Sequence, residues 1–154
     1  MLQIQPIEFL LRGLPEGFIY ILAVYVFSGT KLDKKRYVIS ALITAVFIYI
    51  IRLLPIVFGA HTVLSILFIM LLSINYNKIN LAEAAKSTII TFILQYLSEA
   101  VNMLLIKFIP NLDIDKVFVD PVSKCLIGIP SLIITITIIL LFYFYNKKVD
   151  ARNV

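Results

Sequence analysis

The chain has 154 residues, 61% of them hydrophobic and only 15% charged, and 14 Lys and Arg against 9 Asp and Glu give a net charge of +5. Soluble domains are about 45–50% apolar and about 25% charged, so a soluble fold is excluded and lipid must cover part of this surface. The basic residues gather at the ends of apolar stretches, where membrane orientation needs them, which argues for a bilayer and against nucleic acid as partner.

Ile4, Ile7, Leu10, Leu11 and Leu14 recur at helical spacing around Gln5, Glu8 and Arg12, which predicts a short interfacial helix over residues 1–13. Gly13 is expected to end it, with Pro15 suited to the first turn of the next helix. The same segment lacks a basic start and a small-residue cleavage site, so no cleavable signal peptide is expected. Spans are predicted at about 14–28, 37–54, 59–74, 84–109 and 126–145. The second and third form a hairpin around Pro55 and Gly59. Asn80 is placed to cap the fourth helix, with Glu83 three residues on. Pro110 ends that helix, and 111–124 is the longest connection. Ile133 to Tyr145 is rich in β-branched residues, yet a lone strand in lipid leaves its backbone unpaired, so helix is expected there too. The fold class is therefore an all-α membrane bundle of about five transmembrane helices plus the interfacial helix, in one domain over 1–154.

Lys31, Lys34, Lys35 and Arg36 follow the first span, Lys78 the third, and Lys147, Lys148 and Arg152 the fifth. Basic loops after the odd spans put the N-terminus outside and the C-terminus in the cytoplasm of a cell membrane.

On that topology Glu16, Arg52 and His61 lie towards the outer face, and Glu99 lies past the middle of the fourth span. Thr88, Thr91, Gln95, Glu99 and Asn102 step by three or four residues and share one helix face, as do Ser40, Thr44 and Arg52. Ionisable groups in hydrocarbon cost about 2.5–3.5 kcal/mol each on insertion scales, so they face partners or wet cavities. The expected site is an outward-facing polar pocket of Glu16, Arg52, His61, Gln95, Glu99 and Asn102. In it Arg52 pairs with Glu16 or Glu99, and an anionic group on a ligand can compete for its guanidinium fork. Blander roles exist for each terminal residue: Glu16 in a first turn and Arg52 in a last turn both suit the helix dipole, and His61 suits an interface.

Enzyme motifs are missing. One His cannot supply HExxH or a multi-His metal site, and neither a Walker loop nor GxSxG occurs. A Cys–His pair of His61 and Cys125 lacks the local context of a peptidase, and Cys125 alone makes no internal disulfide. No enzyme activity, cofactor or metal is expected.

Leu14-Pro15-Glu16, Arg52-Leu53-Leu54-Pro55 and Phe58-Gly59-Ala60-His61-Thr62 give the first half of the chain a resemblance. It resembles the multi-span N-terminal sensor region of Firmicute histidine kinases of the GHKL type. A cytoplasmic phosphoacceptor His and an ATP-binding motif are missing from these 154 residues. The resemblance therefore implies a free-standing sensing or regulatory module that works through a membrane or cytoplasmic partner protein. A small transporter component, or a membrane-complex subunit, binding a solute in the same pocket is the alternative. A structural subunit is a third reading, and self-association is compatible with each.

Overall fold

A computed structural model describes residues 9–54, 59–107 and 121–152, with side chains over 126–147 of the last helix. Five α-helices make the bundle: α1 (Leu14–Ser28), α2 (Lys34–Leu53), α3 (Ala60–Asn75), α4 (Leu81–Lys107) and α5 (Pro121–Arg152). Among the described residues there is no strand. The all-α fold thus agrees with the sequence reading. Four helical stretches are long and apolar enough to cross a bilayer: Phe9–Ser28, Lys34–Leu53, Leu81–Lys107 and Leu126–Lys147. The chain is a membrane protein by that measure. At 16 residues α3 is shorter. A rise of about 1.5 Å per residue makes it roughly 24 Å long, against a hydrocarbon core of about 30 Å.

The separate N-terminal helix expected over 1–13 needs correcting in its described part. Phe9–Gly13 forms one π-helical turn that runs without a break into α1. Gly13 does not stop the helix, because its backbone is helical at φ −62° and ψ −41°. Residues 1–8 lie outside the described residues, as do Pro55–Phe58 of the expected hairpin turn and 108–120, which include Pro110.

Local chemistry sets the other helix ends. Asp33 caps α2 by accepting from the backbone N–H groups of Lys35 (3.0 Å) and Arg36 (3.3 Å). Asn80 accepts from the Glu83 N–H at 2.9 Å, as expected of a cap. The Glu83 carboxylate does not complete a capping box with it. It turns towards Lys86, at 3.5 Å. Gly29 closes α1 at φ 67°, a left-handed geometry that costs glycine little.

At the centre of the bundle stands α1. Within the window that includes it, 56% of residues are buried, against 28–33% for the other three long spans. A helix apolar all round belongs inside, and α1 packs on α2, α4 and α5. On one side Tyr20, Ile21 and Val24 meet Ala41 and Ile48 of α2, Ile69 of α3 and Phe92 of α4. On the other, Ile19 and Ala23 meet Leu132 and Ile139 of α5. Phe47 stacks on Phe68 and ties α2 to α3. The lipid-facing sides of the outer helices carry exposed Leu, Ile and Val, such as Val46, Leu67, Ile93 and Leu141.

Candidate functional site: a charged cavity among four helices

The polar stripe of α4 faces the bundle. Thr88, Thr91, Gln95, Ser98 and Asn102 are all buried. Two short hydroxyls satisfy themselves within the helix, Thr91 donating to the Ser87 carbonyl and Ser98 to the Leu94 carbonyl, while Thr88 Oγ1 has no partner among the described residues. Gln95 and Glu99 have longer side chains and reach other helices.

Two ion pairs lie inside the bundle among the described residues. Arg52, in the last turn of α2, donates through Nη2 to both oxygens of Glu16, at 2.8 and 3.0 Å. Tyr20 donates its hydroxyl to Glu16 Oε1 at 2.7 Å. Glu16 is only 2% exposed, so these bonds replace the water it has lost. The second pair joins Arg12 Nη2 to Glu99 Oε1 at 2.7 Å. Gln95 adds a bond to the same oxygen at 3.2 Å, and its own Oε1 accepts from Thr135 of α5 at 3.0 Å. The charges balance within the group, two guanidinium cations against two carboxylates.

Between the pairs lies a cavity of about 110 Å³. Glu16 and Tyr20 of α1 line it, with Ile48, Ile51 and Arg52 of α2. From α3 come His61, Thr62 and Ser65, and from α4 Phe92, Gln95, Tyr96 and Glu99. The Thr62 and Tyr96 hydroxyls hydrogen-bond to each other across the α3–α4 boundary. Nδ1 of His61 is buried with no hydrogen-bond partner among the described residues. Arg52 uses only Nη2, so its Nε and Nη1 have no partner among the described residues, and its side chain is 37% exposed. Among the described residues Glu99 uses only Oε1, and its side chain is 34% exposed.

Five of the six residues expected to share a pocket do so: Glu16, Arg52, His61, Gln95 and Glu99. Asn102 does not line it. Its amide donates to the Ile127 carbonyl at 2.7 Å, three residues before Pro130. The bond ties α4 to α5 beside Pro130, whose missing N–H leaves the carbonyl of Leu126, one residue earlier, without its helical donor. Asn102 is thus explained by the α4–α5 joint.

Sequence reasoning missed Arg12 and Tyr20. With Glu16 they lie four residues apart, on one face of a continuous helix. That signal is lost when the helix is broken at Gly13. Gly128 of α5 also belongs to the site's support: a Cβ there would stand 2.9 Å from Arg12 Nη1, so the missing side chain leaves room for the guanidinium. Among the described residues no group of three His, Cys, Asp or Glu side chains could hold a metal ion. Comparison of the chain with protein families, with curated proteins and with solved structures finds no match.

Proposed function

We propose that this protein is a membrane-embedded sensing or regulatory module whose polar cavity takes a ligand and whose response passes to a partner protein. Supporting this is a single observation: two ion pairs border a cavity in which one arginine and one carboxylate keep hydrogen-bonding capacity that no described residue uses. Charges held this way inside apolar helices are costly, and membrane proteins keep them where they work. The basic loops favour five crossings with the N-terminus outside, so that the cavity opens outward.

Competition between a ligand and Glu16 for the arginine fork is the simplest mechanism from sequence, and the geometry favours another. Glu16 is only 2% exposed and depends on Arg52, and stripping it of its cation would leave an unpaired charge in the interior. A ligand instead meets the open side of the guanidinium, with Glu16 orienting it from behind. Contact with Arg52 and Glu99 together would draw α2 and α4 across the cavity. That movement is the signal a partner reads.

A solute-binding component of a transporter would use the same cavity. Copurification from native membranes separates the two: a stoichiometric kinase supports sensing, and an ATPase or permease supports transport. Arg52→Lys should keep the charge and impair the response, because a point cation does not reproduce the guanidinium geometry, while Arg52→Gln should abolish it. Normal signalling or transport by both variants would reduce Arg52 to an interfacial anchor.

A further inference from the structure

We infer that the cavity takes a small zwitterion, with its anionic end on Arg52 and its ammonium end on Glu99. The inference deepens the proposed function and rests on the same cavity. Three observations carry it.

The first is unused bonding capacity of both signs. Arg52 presents Nε and Nη1, which are donors only, and Glu99 presents Oε2, which is an acceptor only. A carboxylate or phosphate satisfies the former and an ammonium the latter. The second is charge balance. The cavity group already holds two cations and two anions, so a ligand with a net charge would leave one sign in excess in a low-dielectric setting. A zwitterion adds no net charge and matches both open ends. The third is size. A cavity of about 150 Å³ accepts a benzene-sized guest, so the 110 Å³ here fits a molecule of about that size or smaller. Glycine and alanine fit that limit. The ammonium–phosphate head of phosphatidylethanolamine has the same pair of charges, and it could reach the cavity from the membrane. Ile48, Ile51 and Phe92 supply an apolar wall for the carbon skeleton between the charges.

The test uses the full chain in non-ionic maltoside micelles. Glycine and L-alanine are titrated by calorimetry, beside acetate and methylammonium as the two halves of the charge pair. The amino acids should bind saturably, and each half should bind about tenfold more weakly or worse, because it loses one charge-assisted contact. Arg52→Gln and Glu99→Gln should each weaken binding by a similar factor, while Asn75→Ala, away from the cavity, should not. Lipid is the second arm. If added phosphatidylethanolamine, but not phosphatidylglycerol, suppresses alanine binding and raises the melting temperature, the headgroup is the natural source of the zwitterion. If it does neither, a free amino acid is. Either result supports the inference. Acetate binding as tightly as alanine in the unaltered chain would overturn the zwitterion and leave a ligand pocket standing. No binding by any probe, with no shift from either lipid, would overturn both. The unaltered chain decides these outcomes even if a charge variant fails to fold.

Discussion

A carboxylate that is 2% exposed among Leu, Ile and Val persists because Arg52 and Tyr20 share its charge. Removing one member leaves the other stranded. For a fully buried pair that costs about 3–5 kcal/mol. Arg52 is 37% exposed, so water screens part of the loss and about 1–3 kcal/mol is expected for Arg52→Gln. Glu16→Gln should cost a similar amount, and the double variant should cost less than the sum. Denaturation of the four proteins in micelles gives this coupling directly, and additive losses would mean that the pair contributes nothing to folding. Tyr20→Phe keeps the ring against Phe92 and loses only the hydroxyl bond, so about 0.5–1.5 kcal/mol is the expected change. The pairing of Arg52 with a carboxylate is legible in sequence, since the two candidates, Glu16 and Glu99, fall at its depth. The Arg12–Glu99 pair is not. Gly13 and Pro15 read as a helix break, and Arg12 then belongs to a surface helix. The π-helical turn that carries Arg12 into the bundle packs on α2, where Phe9 meets Tyr49, and on α5 beside Gly128, contacts to which local residue preferences are blind.

Between elements, two glycines do different work. Gly17 lies where α1 crosses α2: a Cβ there would stand 2.8 Å from the Ala41 carbonyl oxygen, 2.8 Å from Ala45 Cβ and 2.9 Å from the Ala45 nitrogen. All three atoms belong to or adjoin backbone, so the helices themselves would have to separate. Small residues allow such close crossings. Gly17→Ala should therefore destabilise by about 1–3 kcal/mol, the usual cost of overpacking. Gly128 faces the flexible end of Arg12 instead, which can move aside. Gly128→Ala should change stability little while shifting Arg12 away from Glu99. The combination to look for is a melting temperature close to the parent's with altered affinity or response. If Gly17→Ala melts like the parent, the close α1–α2 crossing is wrong. The polar face of α4 could be read from the sequence because a period of 3.6 residues aligns Thr88, Thr91, Gln95, Glu99 and Asn102 whatever surrounds them. What each reaches depends on neighbours. Gln95 meets Thr135 and Asn102 meets Ile127 across sequence gaps that no local pattern reports.

At the scale of the molecule, burial and charge point to one arrangement. The helix with the greatest buried share is α1, and the others present their apolar sides to lipid. Apolar length made the helices legible from sequence, but it is blind to which of them is central, because lipid and protein interiors reward the same side chains. Five crossings would put α2 and α4 in one direction and α1, α3 and α5 in the other. The cavity then lies near the outer ends of α1 to α4. The weak member is α3, whose roughly 24 Å falls short of a hydrocarbon core of about 30 Å; local thinning of the bilayer or snorkelling flanks would accommodate it. Labelling of single cysteines by a membrane-impermeant maleimide in intact cells decides the matter, after Cys125→Ser removes the native thiol. Asn77 is unsuitable as a probe because it is only 3% exposed and would resist label on either side. Leu32 and Leu81 are exposed at 43% and 64% and flank the two basic loops. Leu32→Cys and Leu81→Cys should stay unlabelled until the cells are opened, whereas Asn111→Cys, between α4 and α5, should label at once. Should α3 fail to cross, Leu32 and Leu81 would fall on opposite sides and exactly one of the two would label in intact cells. Five crossings of inverted sense would label both and leave Asn111→Cys protected.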